Sequence, residues 1–159
     1  MAGMTPIGMT PIVKTVTGWV KGFILVFGIY IVLYGHLTPG GGFGGGVILA
    51  MALVLLTLAF GKDEALRRLP LGIASELDSV GALMFLVIAV LGITAGLGGT
   101  FFINYIAKAN PGEPFRLLSS GTIPLCNIAI ALKVASSLFI VFITLVLLRV
   151  VHTGPGEKV

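Results

Sequence analysis

Charge is what this chain has least of. Asp and Glu number 6 and Lys and Arg 10 among 159 residues, so only 10% of the chain is charged. A water-soluble domain carries roughly a quarter charged residues, which excludes a soluble surface here. Cysteine is almost missing as well: Cys126 stands alone, excluding an internal disulfide and a cysteine-rich metal cluster. His36 and His152 are the 2 histidines, and His152 has no second ligand at useful spacing. No group of residues resembles a catalytic triad, a metal site or a haem ligation pair. The chain is therefore not read as an enzyme, and it is expected to hold no cofactor and no metal. The net charge of +4 is spread along the sequence, an orientation signal more than a nucleic-acid surface.

What the chain has is apolar length. Hydrophobic residues make up 57% and mean hydropathy is +1.11. Four segments reach the roughly 20 residues that cross a bilayer, over about 16–34, 43–60, 80–97 and 127–151. The expectation is an all-α polytopic membrane protein, one membrane domain over 1–159, with an extended arm over 1–13. In that arm Gly3-Met4-Thr5-Pro6-Ile7 is repeated as Gly8-Met9-Thr10-Pro11-Ile12, and its prolines disfavour a continuous helix. The first span is too long for a signal-peptide core and is followed by no small-x-small cleavage site.

Four spans put both termini on one side. Lys14, Lys21, Lys62, Arg67, Arg68, Arg149 and Lys158 then share that side, against Lys108 and Arg116 on the other. The excess of positive charge makes the terminal side cytoplasmic. Between the second and third spans runs KDEALRRLPLGIASELD, whose Ser75-Glu76-Leu77-Asp78 has the form of a capping box and is expected to start the third helix. Glu76 and Asp78 then either cap that helix or feed protons into the membrane. After the third span, Phe101 to Ile106 is expected at the interface and Asn110-Pro111-Gly112 in a turn.

Residues 35–46 read GHLTPGGGFGGG. Gly40, Gly42 and Gly45 satisfy G-x-G-x-x-G, but a membrane-length segment precedes them and VILAMALVLLTLAF follows, the wrong context for dinucleotide binding. Gly42, Gly46 and Ala50 fall four apart, a small-xxx-small face for close helix packing. The alternative is a bent or broken helix whose backbone faces water or an ion. Gly92 and Gly96 offer a similar face on the third span. His36 either titrates near neutral pH or is held at an interface by hydrogen bonds.

Lys133 lies in the fourth span, about 9 Å along the helix from Asn127. It serves a proton or ion path, snorkels to the interface, or makes a structural pair. Ser137 is one turn beyond it and Thr144 three turns beyond, with Cys126 two turns before. No acidic partner is expected at matching depth, since Asp78 is read as starting the third span and Glu113 as lying in the outer loop. A lysine without an internal partner argues for other subunits.

Gly35-His36 with Pro39-Gly40-Gly41-Gly42-Phe43 and Gly45-Gly46, followed by Gly121-Thr122-Ile123-Pro124-Leu125 and Asn127 through Val134, resembles the B-type subunit of Mrp (multiple resistance and pH) Na+/H+ antiporters. The likeness covers nearly the whole chain; Ala131 stands where glycine is expected. Related subunits occur in archaeal membrane-bound hydrogenases and sulfur-reducing relatives. The resemblance implies a non-catalytic membrane subunit of a cation/proton antiporter module in a prokaryotic cell membrane. Its partners would be large antiporter-like and small membrane subunits, with or without a hydrogenase or sulfur-reducing arm. It further implies that Pro39 and Phe43 shape the loop and that Lys133 and His36 handle ions. A purely structural spacer and a homo-oligomeric channel with a glycine-loop filter are the rival readings.

Overall fold

The computed structural model describes residues 9–94, 101, 102, 104, 106 and 120–152. The architecture is all-α, and four helices are long and apolar enough to cross a membrane. In chain order the helices are α1 (Pro11–Leu33), α2 (Gly41–Phe60), the short α3 (Lys62–Arg68), α4 (Leu71–Thr94) and α5 (Ile123–His152). α1 packs on α2, α2 on α5 and α5 on α4. α2 is the best covered of the long helices, with 39% of its membrane-length window buried.

Three boundaries differ from expectation, each for a local reason. α1 starts at Pro11, so the last part of the expected extended arm is helical. A proline at the first helical position lacks only an N–H that would have no intrahelical partner anyway. The connection KDEALRRLPLGIASELD is mostly helix. α3 carries Asp63 and Glu64 in its first turn and Arg67 and Arg68 in its last, opposing the helix dipole at both ends, with Glu64 and Arg68 paired at 3.0 Å. Pro70 then precedes α4, which begins at Leu71. Ser75 is therefore inside the helix and not its cap: its carbonyl accepts a hydrogen bond from the Ser79 hydroxyl at 3.0 Å. Asp78 is carried into the helix with it. The expected Asn110-Pro111-Gly112 turn, Gly96, Glu113, Lys108, Arg116 and Lys158 lie outside the described residues.

Lipid supplies no hydrophobic force between helices, so the contacts rest on small residues and backbone approach. α2 buries Gly42, Gly45, Gly46, Ala50, Ala52 and Ala59. On α5, Ala131 is buried against it, while Ala129 is buried on the side that faces α4. A Cβ at Gly46 would sit 2.9 Å from the Ala131 carbonyl oxygen, and one at Gly42 only 2.6 Å from the Asn127 Cα. At one end of the bundle Ala65, Ala74, Phe139 and Ile143 form a core cluster, closed by Leu53, Leu66, Leu69, Leu71 and Ile140. At the other end Phe102 stacks on Phe85 at 5.3 Å, and Asn104 accepts the Thr122 N–H at 3.0 Å just before α5 begins.

The start of α2 is where the glycine run acts. Gly40 has φ +98° and Gly41 φ +51°, values that a side chain would make costly. Gly40 offers no side-chain cap; instead the Gly42 N–H donates to Asn127 Oδ1 of α5 at 3.2 Å. One of the orphan donors of the helix start is thereby satisfied from another helix.

Two expected outcomes follow, readable as heat-resistant monodisperse protein in detergent. Gly42→Ala drives a Cβ into α5 backbone and costs about 1–3 kcal/mol, while Gly44→Ala, whose Cβ meets nothing within 4 Å, is neutral or stabilising by up to ~1 kcal/mol. Equal heat resistance of the two variants would contradict the packing described. Asn127→Ala removes the cap acceptor and costs about 1–2 kcal/mol.

Candidate functional site

The seam between α4 and α5 carries the charged chemistry. Gly81 lets the helices touch: a Cβ there would lie 2.8 Å from the Lys133 backbone nitrogen and 2.9 Å from the Ala129 carbonyl oxygen. Asp78 precedes Gly81 by one turn on α4 and so meets the next turn of α5. There the Lys133 Nζ donates to both carboxylate oxygens of Asp78, each at 3.0 Å. The Ser137 hydroxyl donates to Asp78 Oδ1. Three donor contacts thus converge on one carboxylate.

The expectation that Lys133 lacks an acidic partner in this chain is corrected here. It failed because the capping-box form of Ser75 to Asp78 was read as the start of the third helix, which put Asp78 at the cytoplasmic end of the third span. With α4 starting at Leu71, Asp78 lies about 10 Å along the helix and reaches the level of Lys133. The pair is not sealed inside the bundle. The Lys133 side chain is 47% exposed and that of Asp78 27%, so the seam opens to whatever surrounds the chain. Beside it runs a cleft of about 300 Å³ lined by Gly81, Ala82, Phe85, Ala129, Ile130, Lys133 and Val134. Apart from the lysine, its walls are apolar.

The other singled-out residues lie at the glycine end. His36 is half-buried in the turn between α1 and α2, and Pro39 is exposed in the same turn. Phe43 is 63% exposed and points away from the bundle. Gly45 and Gly46 are buried in α2. Lys133 is about 9 Å further along α5 than Asn127, so the fold gathers Lys133, Asp78 and Ser137 in one place and keeps His36 with the glycine turn. Thr144 is not part of the cluster; its hydroxyl donates to the Ile140 carbonyl at 2.7 Å. Among the described residues no group of three or more His, Cys, Asp or Glu stands ready to hold a metal.

Asn127 is the residue that sequence reasoning passed over. It is 8% exposed, its Oδ1 is engaged by Gly42, and its buried Nδ2 has no hydrogen-bond partner among the described residues. The available signal was its place in the first turn of an apolar helix, one turn before Ala131, matching the Gly42–Gly46 spacing across the contact.

Known proteins resemble this arrangement over most of the chain. The family model described as a domain related to the MnhB subunit of Na+/H+ antiporter matches residues 12–151. An uncharacterized protein of Methanocaldococcus jannaschii is 35% identical over 133 residues, covering 81% of this chain and 49% of that protein. A putative antiporter subunit mnhB2 of Staphylococcus aureus is 40% identical over 80 residues, 50% of this chain and 56% of the relative. The chain thus spans about half the length of these curated relatives. Among solved structures, a chain of the membrane-bound sulfane sulfur reductase, an archaeal respiratory membrane complex, superposes with TM-score 0.73 at 28% identity. That match covers 89% of this chain and 60% of the other. By the match over residues 12–151, the chain belongs to the family of domains related to the MnhB subunit of Na+/H+ antiporters.

Proposed function

We propose that this chain is a non-catalytic membrane subunit of a multi-subunit Na+/H+ antiporter module in a prokaryotic cell membrane, and that Asp78, Lys133 and Ser137 form its ion-responsive element. The observation that carries the reading is the ammonium of Lys133 held 3.0 Å from both oxygens of Asp78 within helices of membrane length. A charge at such depth costs a few kcal/mol or more and is kept where it serves a path or a relay. Paired, the two groups are neutral together. A proton or a small cation arriving at the carboxylate frees the ammonium, and the field felt by a neighbouring ion path changes by a full charge. The Ser137 hydroxyl holds Asp78 in the orientation that meets Lys133.

The module would consist of large antiporter-like and small membrane subunits, free-standing or joined to a hydrogenase or sulfur-reducing arm; the likeness to a chain of a respiratory membrane complex supports membership of such an assembly. The positive-charge bias supports a cytoplasmic location for both termini. A homo-oligomeric channel with a glycine filter is disfavoured, because Gly42, Gly45 and Gly46 are spent on contacts with α5 and α1.

Lys133→Ala in the assembled complex is expected to lower Na+-dependent proton movement in inverted vesicles by roughly tenfold or more, with the level of assembled complex unchanged. Asp78→Asn should do the same. The Asp78→Asn/Lys133→Ala double variant should be no worse than either alone, because members of one pair are not additive. Normal transport by an assembled Lys133→Ala complex would leave only the structural spacer reading.

A further inference from the structure

Along the α4–α5 seam the Asp78–Lys133 pair has unlike surroundings on its two sides. Toward the start of α4, Ser75 and Ser79 are exposed, and at about 100° per residue they share the flank of Asp78 and Ala82. Hydroxyls therefore line that approach. In the other direction the same face of α4 continues as Ala82 and Phe85, which line the cleft of about 300 Å³ together with Lys133. Phe85 is the α4 residue of the cleft furthest from Asp78, about 10 Å along the helix. Polar groups return beyond it, where Asn104 accepts the Thr122 N–H at 3.0 Å and donates to the Ser120 carbonyl at 2.9 Å. An apolar stretch thus separates two polar zones of one seam.

The ring at the end of that stretch is held from outside. Phe102 stacks on Phe85 with ring centroids 5.3 Å apart, and Phe101 meets Phe102 edge-on at 5.9 Å. The Phe102 N–H donates to the Ala89 carbonyl at 3.3 Å, one turn beyond Phe85. Among the described residues Phe102 is the one non-glycine residue with positive φ, at +65°. A bulky side chain adopts that left-handed backbone at a cost, and it persists where the surrounding contacts over-determine it. Here the left-handed turn lets a single residue set its N–H on Ala89 and its ring on Phe85. The strain and the ring contact belong to the same residue.

We infer that Phe85, held by Phe102, closes the cleft toward the start of α5, so that water and ions reach Asp78 and Lys133 from the α4-start side alone. A hydrophobic constriction excludes water, and with it ions, without any charged barrier. Phe85 is the seal and Phe102 a positioning residue. The inference rests on the reading of the pair as the ion-responsive element, because an element wetted from both sides at once would leak.

The test reads water access in membrane vesicles that hold the assembled complex. In a Cys126→Ala background, Ala82→Cys in the cleft is offered a charged, membrane-impermeant methanethiosulfonate from one face and then from the other. Labelling is read on the tagged chain. An Asp63→Cys chain, altered at an exposed position of α3, marks the face on which α4 starts. Labelling should be roughly tenfold faster from the Asp63 face than from the opposite one, since a thiol reacts as the thiolate and needs water to form it. Phe85→Ala and Phe102→Gly should each raise labelling from the opposite face and remove that difference. Glycine relieves the backbone strain at 102, so the effect there reports the lost ring. Equal labelling from the two faces with both phenylalanines in place, or none from the Asp63 face, overturns the proposal even if a phenylalanine variant fails to assemble. An asymmetry that survives both replacements overturns it too. Transport is not read here, so a normally transporting Lys133→Ala complex would remove the ion-responsive role and leave the sealed cleft standing.

Discussion

The approach of α5 to two helices at backbone distance is the constraint from which the rest of this structure follows. On one side Gly42 and Gly46 admit it to α2, and on the other Gly81 admits it to α4. Those contacts leave little freedom to slide or rotate, because a Cβ at any of the three would overlap main-chain atoms. Once α5 is fixed in register, Asn127 has to face the first turn of α2 and Lys133 has to face α4 beside Gly81. The polar contacts are consequences of a steric fit, which suits a medium where apolar surface gives helices no reason to associate. Several hydroxyls within the helices bend back on their own helix, as Thr57 does to the Leu53 carbonyl at 2.9 Å. The interhelical polar contacts of Asp78 and Asn127 are therefore specific features of this fold.

The two polar contacts solve different problems. Asn127 supplies an acceptor to a helix start whose own cap is glycine; its value is local and structural. Asp78, Lys133 and Ser137 gather two opposite charges and a hydroxyl, each charge offsetting the other. The geometry, with both carboxylate oxygens at 3.0 Å from one nitrogen, makes the two groups one neutral unit. The ammonium is nearly half exposed, so the pair sits at the edge of the bundle and not in its core.

How much of this the sequence disclosed depended on whether the signal was local. The four membrane-length helices were legible from apolar length, and the Gly42–Gly46 face from its four-residue spacing. The Asp78–Lys133 pair was not. Ser75-Glu76-Leu77-Asp78 imitates a capping box, and that local pattern outweighed Pro70, the true break before Leu71. Starting α4 at Leu71, about one turn before Ser75, moved Asp78 from the capping turn into the body of the helix. The pairing also depends on Gly81 meeting Lys133, a register between residues far apart in sequence. Asn127 was missed for the same reason: its role appears only when the Gly42 N–H is opposite it. Pro11 misled in the other direction, since a proline reads as a breaker inside a helix but is well accommodated at its first position.

The distribution of satisfied and unsatisfied surface has its own logic. Following the packing order α1, α2, α5, α4, the two central helices meet along glycine and alanine, and their close contacts are answered within the chain. The flanks are different. On α1 only 17% of the membrane-length window is buried. At the α4–α5 seam a charged pair stands half uncovered beside an apolar cleft. Lipid can cover apolar side chains at either flank, but its hydrocarbon offers Asp78 and Lys133 no polar partner. The close contacts of the chain thus lie in its middle, and its least covered charged groups lie on the α4–α5 flank.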